Sequence, residues 1–211
     1  MRTEQLIDML ARGAGAVPRL NAASRLLTVV VGGAALSAAA ATMLLGLIPR
    51  EMYALPAPWI KIAYAGLLAL AATWLAVRLS RPVARVAAPA RGVALVVLGM
   101  GALALWSVAA APSGERVATL LGDSWVRCPA DVFLLSLPTL AGSLWVMRGL
   151  APTRLREAGF AAGVLAGAVG AAGYALSCYE TSPAFIGVWY TAGIMLAGVL
   201  GAWLGPRVLR W

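Results

Sequence analysis

The chain is 211 residues long, 62% hydrophobic and only 12% charged, with 17 basic against 8 acidic residues, no histidine and a mean hydropathy of +0.86. A water-soluble domain carries roughly a quarter charged residues, so this composition excludes an ordinary soluble globular protein and describes a chain solvated by lipid. The lack of histidine removes the usual general base, the Ser-His nucleophile pair and the commonest metal ligand, which argues against an enzyme.

In chain order, the first predicted element is a short amphipathic helix. Thr3 can cap a helix running through Arg12, in which Leu6, Ile7, Met9 and Leu10 form an apolar stripe while Glu4, Asp8 and Arg12 stay polar. Asp8 and Arg12 are four apart, the spacing at which opposite charges meet on a helix. Gly13 and Gly15 supply a stop, and Pro18 opposes continuation. Such a helix either lays its stripe in a groove on a cytoplasmic partner or rests on the membrane surface.

Six apolar runs follow, each long enough for a helix to cross a bilayer, which takes about 20 residues. They are Leu27 to Ile48, Pro58 to Leu79, Gly92 to Ala111, Pro129 to Met147, Ala158 to Leu176 and Ala184 to Leu204. The connections are short and leave no room for a soluble domain of ordinary size. The first run is longer than a signal-peptide core and follows a segment containing Glu4 and Asp8, so it reads as an uncleaved span. The expected fold class is all-α, a polytopic membrane bundle of six transmembrane helices with a short amphipathic cytoplasmic helix at its amino terminus.

Orientation follows from the basic residues, which accumulate in cytoplasmic loops. Arg2, Arg12, Arg19 and Arg25 precede the first run, and Arg78, Arg81, Arg85 and Arg91 lie between the second and third. Arg148, Arg154 and Arg156 lie between the fourth and fifth, and Arg207 and Arg210 follow the sixth, which puts 13 of the 17 on one side. Arg50, Lys61, Arg116 and Arg127 share the other side with Glu51, Glu115, Asp123, Asp131 and Glu180. Both termini are therefore expected in the cytoplasm. The formal charge of +9 is split among four loops and reads as a topology signal, so nucleic acid is not an expected partner.

Within the runs, Gly159, Gly163 and Gly167 form a small-residue ridge, and Gly201 and Gly205 form another, a spacing that lets helix backbones approach closely. Gly32 and Gly33 carry less pattern. Trp59, Tyr64, Trp125, Tyr179, Trp189 and Tyr190 fall near the outer membrane interface, where amphipathic rings prefer to sit, and are expected to anchor depth. No run has a charged residue at its centre. Lys61 and Asp131 lie close to run ends and are expected to snorkel to water. Transporters usually bury ionisable groups at midplane, which disfavours transport. A small-molecule transporter or channel with a structural cysteine pair is nevertheless the principal alternative, because unwound helices need only backbone carbonyls.

Cys128 and Cys178 are the only cysteines, and the topology places them at the same outer end of consecutive antiparallel spans. A membrane thiol oxidoreductase would want Cys-x-x-Cys, which is absent. Disulfide formation, capture of a soft metal by thiolates and adduct formation with an electrophile all remain open at that surface, as do a structural disulfide and two inert thiols. Asp131, one turn beyond Cys128, and Glu180, two residues beyond Cys178, would complete a mixed sulfur and carboxylate metal site of Cys128, Cys178, Asp131 and Glu180.

Several segments together resemble the NrsF (negative regulator of sigma F) family of six-span membrane anti-sigma factors. They are Met1-Arg-Thr-Glu-Gln-Leu-Ile-Asp8, Pro56-Ala-Pro-Trp-Ile-Lys-Ile-Ala-Tyr64, Ser124-Trp-Val-Arg-Cys-Pro129, Ser136-Leu-Pro138 and Leu150-Ala-Pro-Thr-Arg154, then Cys178-Tyr-Glu180, Pro183-Ala-Phe-Ile-Gly-Val-Trp-Tyr190 and Gly205-Pro-Arg-Val-Leu-Arg-Trp211. The resemblance implies that residues 1–25 are a cytoplasmic sigma-binding segment and residues 26–211 a six-helix transmembrane sensor domain in a bacterial inner membrane. It implies an extracytoplasmic-function sigma factor as partner, held through Leu6, Ile7, Asp8, Met9 and Leu10. Cys128 and Cys178 then become a sensor pair for heavy metal or oxidant, with no resident cofactor beyond a transient metal ion. Family members commonly place proline after the second cysteine and often histidine before it; Tyr179 and Ser177 stand there instead, which weakens histidine-assisted ligation more than thiol chemistry.

Overall fold

The computed structural model describes residues 3–13, 21–81, 85–150 and 152–210. The short helix α1 spans Thr3–Gly13. Arg2, Gly15, Pro18 and Arg19, on which parts of the topology and helix-stop readings rest, lie outside the described residues. The long helices are α2 (Ala22–Leu45), α3 (Pro56–Leu79), α4 (Ala87–Ala110), α6 (Arg127–Arg148), α7 (Leu155–Tyr174) and α8 (Pro183–Val208), and a short helix α5 (Arg116–Leu121) lies between α4 and α6. Among the described residues these six long helices are the ones long and apolar enough to cross a membrane. Each coincides with an expected run to within a few residues.

Local chemistry explains the boundaries. Pro56 and Pro58 sit in the first turn of α3, where a missing backbone N–H costs nothing. Ser182 accepts from the amides of Ala184 and Phe185 and so starts α8. The turn Ile186–Tyr190 inside α8 is π-helical, a widening that redirects the side chains facing the cysteines. Pro138 lies within α6, where its ring denies the helix one hydrogen bond.

Helix α7 is the centre of the bundle. Its residues 161–171 are all buried, and α8, α6, α3 and α2 pack around it. Helix α4 packs on α3 and on the first two turns of α8, and is largely exposed. The distribution of side-chain size is inverted relative to a soluble protein. Met43, Leu70, Leu95, Leu98 and Trp145 point outward, while the central helix α7 is built largely of glycine and alanine. Lipid tails are as apolar as leucine, so outward leucines lose nothing, and close backbone contact holds the helices together.

The two expected glycine ridges meet each other. A Cβ on Gly159 would overlap the Gly201 carbonyl oxygen, one on Gly163 the Ala197 carbonyl, and one on Gly167 would lie 2.7 Å from the Ile194 Cα. The same helix uses Gly170 against the backbone of α6 at Val132 and Ser136, and Gly173 against Ser37 of α2. Gly33 of α2 also matters, because a Cβ there would overlap the Thr139 hydroxyl, whereas Gly32 faces open space.

Candidate functional site

The chain crosses back and forth, so the segments 46–55, 111–126 and 175–182 gather at one end of the bundle, opposite the start of α2. Cys128 is the second residue of α6, its amide bonded to the Ser124 carbonyl at 2.9 Å. Cys178 follows α7, after tight turns in which Leu176 and Ser177 donate to Gly173 and Tyr174. Both are free thiols, both are buried, and both belong to one cluster with Tyr64, Tyr174, Phe185 and Tyr190. The topology therefore does bring the two cysteines into the same part of the core.

Lys61 corrects the expectation of a snorkelling side chain. It is fully buried, and its Nζ donates to the Cys178 carbonyl at 2.6 Å. The reason is spatial: the 175–182 segment folds over the start of α3 and stands between the ammonium and the surface. Burying an ammonium costs several kcal/mol unless hydrogen bonds and neighbouring dipoles offset it, so this contact ties α3 firmly to the cysteine segment. A sequence signal for it exists. Lys61 is the single lysine among sixteen arginines and lies within the apolar run Pro58 to Leu79, close to its start.

The two carboxylates are divided rather than joined. Glu180 Oε1 accepts from the amides of Asp123 and Ser124 at 2.8 and 2.9 Å and from the Ser124 hydroxyl at 2.8 Å. It thereby clamps the segment before α6 to the cysteine segment. Asp131 is half-buried and lies near the Tyr174 hydroxyl and near Arg127 on its own helix. Among the described residues no three His, Cys, Asp or Glu side chains converge to hold a metal ion, so Cys128, Cys178, Asp131 and Glu180 are not assembled as one ligand set. Glu180 already directs one of its two carboxylate oxygens, Oε1, to the neighbouring loop.

Other contacts stitch the same end. The Ile48 amide donates to the Leu176 carbonyl at 3.1 Å, the Tyr179 hydroxyl to Leu47 at 3.3 Å, and the Trp189 indole to Leu120 at 2.9 Å. Trp59, Trp125 and Tyr179 are exposed, as interface rings should be. Tyr64 and Tyr190 depart from that expectation, since both are buried. The Tyr64 hydroxyl pairs with Thr191 at 2.7 Å, whereas among the described residues the Tyr190 hydroxyl has no hydrogen-bond partner of good geometry and lies against the Cys178 thiol. Tyr174 and Tyr190 rings stand 5.7 Å apart. Hydropathy and position along the run suggest interface rings and do not reveal that both face inward.

Helix α1 runs as expected, with Asp8 paired to Arg12. Leu6, Ile7, Met9 and Leu10 are all exposed, and no helix of the bundle packs extensively on them. The apolar stripe is thus open to a partner or a surface.

The family model described as negative regulator of sigma F, NrsF, matches residues 10–211. The chain belongs to the NrsF family. It is 41% identical to the "Probable anti-sigma-F factor NrsF" of Azospira oryzae and 39% identical to the "Anti-sigma-F factor NrsF" of Caulobacter vibrioides, in each case over the whole of both chains. No solved structure matches it. Membership in the NrsF family implies a regulatory role rather than a catalytic one. The family match begins within α1 and takes in both cysteines, Lys61 and Glu180.

Proposed function

We propose that this chain is a membrane-bound anti-sigma factor. In this reading it sequesters an extracytoplasmic-function sigma factor on the cytoplasmic side of a bacterial inner membrane and releases it when Cys128 and Cys178, facing the periplasm, meet heavy metal or oxidant. The observation that carries the reading is family membership over nearly the entire chain, with relatives named as anti-sigma-F factors. Two structural features support it: the open apolar stripe of α1 and the burial of both thiols in one cluster beside the 175–182 segment.

The chemistry is that of the thiols. Oxidation would join the two sulfurs, with two protons and two electrons leaving to the oxidant. A soft cation would instead be held by two thiolates, with two protons released. Both sulfurs are sealed from solvent, so either reaction requires the 175–182 segment to lift from Lys61 and from the Asp123–Ser124 turn. That segment continues directly from α7, against which α2 packs, and α2 leads back to α1. A coupling of about 1–3 kcal/mol between the two ends changes sigma occupancy by roughly 5–150-fold.

The test is capture from membranes. The full chain should retain a sigma factor, and a Leu6→Glu/Leu10→Glu variant of equal abundance should not. Equal capture by both would move the contact away from α1, and capture by neither would defeat the anti-sigma reading.

A further inference from the structure

At the end of the bundle away from the cysteines, a cavity of about 790 Å³ straddles the seam between α7 and α8. Arg156, from the first turn of α7, Arg207, from the last turn of α8, and Arg210, just beyond that helix, line it together with Val199 and Trp203. All three arginines are exposed, and among the described residues none is paired with a carboxylate, the ion pairs there being Arg12 with Asp8 and Arg154 with Glu157. The Arg207 guanidinium lies 4.0 Å over the Trp203 ring and donates to the Trp203 carbonyl at 2.8 Å. Stacked and bonded in this way, it is held in place before any ligand arrives.

Above the arginines the surface changes character. Met195, Leu196, Val199 and Trp203 are exposed, and their spacing puts them on one face of α8 as an apolar track rising from the cavity. Three unpaired guanidiniums at the edge of a helix long enough to cross a membrane, continuous with an apolar track, fit a molecule with an anionic head and hydrocarbon tails. Arginine forks match phosphate oxygens, and basic pockets between transmembrane helices hold anionic headgroups. We propose that this cavity binds an anionic phospholipid, with a headgroup of two phosphates the best match to three arginines, and that the acyl chains lie along Met195, Leu196 and Val199. A soluble anion would use the arginines without the track. An acidic protein segment would have no use for a track that lies at membrane depth.

Native mass spectrometry and thermal denaturation of the detergent-solubilised full chain test this with cardiolipin, phosphatidylglycerol, phosphatidylcholine and inorganic phosphate as probes. Cardiolipin should be retained and should raise the midpoint, phosphatidylglycerol should do so less, and phosphatidylcholine and phosphate should do neither. The R156Q/R207Q/R210Q variant should lose on the order of 100-fold in cardiolipin affinity, at about 1 kcal/mol per arginine, while R81Q/R91Q keeps it. The titration of the wild-type chain stands whether or not the variant folds. A wild-type chain that does not distinguish cardiolipin from phosphatidylcholine, a phosphate effect equal to that of lipid, or undiminished cardiolipin binding by the triple variant would each overturn the proposal. Loss of sigma capture by the triple variant with lipid binding intact would assign the arginines to a protein interface instead.

Discussion

The α7–α8 seam and the cysteine-bearing end of the same two helices are both buried, yet they are built in opposite ways. In the seam, Gly159, Gly163 and Gly167 lie directly against the backbone of α8, with few polar side chains between them. At the cysteine end, Lys61, Glu180, Tyr174 and Tyr190 are packed among thiols, and much of the hydrogen bonding runs between loops. The seam gains from dispersion alone and has one arrangement. The other end depends on polar pairings that a single chemical event can disrupt. Under the proposed function, the chain would keep folding and response apart along one helix.

The largest way to break this comparison is at Gly163, where a side chain would overlap the Ala197 carbonyl. Gly163→Leu should cost about 3 kcal/mol or more, as overpacking against backbone cannot be relieved by a rotamer change. Thermal denaturation in detergent checks it, with Gly66→Leu, which meets nothing within 4 Å, as the near-neutral companion. If both variants melt alike, the seam is not the rigid half.

A middle-sized effect is expected at Lys61. Lys61→Met strips the donor from the Cys178 carbonyl, and an unpaired buried acceptor costs about 1–3 kcal/mol. The 175–182 segment should then open roughly ten-fold more often, since about 1.4 kcal/mol is a factor of ten. Alkylation of Cys178 by a small membrane-permeant maleimide should accelerate by a similar factor. An unchanged rate would mean that Lys61 does not hold the segment closed.

The smallest effect sharpens the polar side of the comparison. The Tyr190 hydroxyl is buried without a well-formed hydrogen bond, so Tyr190→Phe should leave stability unchanged or raise it by a few tenths of a kcal/mol. Tyr64→Phe breaks a pairing with Thr191 and should lower stability by about 1 kcal/mol. Chemical denaturation of the two variants side by side separates a satisfied hydroxyl from an unsatisfied one.

Much of this architecture was legible in the sequence, and the remainder was hidden for identifiable reasons. Span positions follow from local composition, and charge in the loops follows from the same accounting, so six helices and the shared end of Cys128 and Cys178 could be read directly. The ridge of Gly159, Gly163 and Gly167 was equally plain, because its spacing is a property of one helix. Lys61 was not, since what covers it is the backbone of Cys178, far away in the chain. Glu180 looked like a metal ligand beside a cysteine, but its partners are the amides of Asp123 and Ser124, which no side-chain pattern announces. Tyr64 and Tyr190 were expected as interface rings, yet both are buried, Tyr190 as the last residue of the π-helical turn Ile186–Tyr190.

The account centres on the claim that chemistry at the cysteine end governs what α1 holds, and release of sigma from isolated membranes measures it most directly. Membranes carrying the wild-type chain or its Cys128→Ser or Cys178→Ser variant, each loaded with sigma, are treated with cadmium or with diamide, and soluble sigma is quantified. The account predicts release from wild-type membranes and retention by both variants. Release from the serine variants at the wild-type level, or retention by the wild-type chain under both reagents, would contradict it.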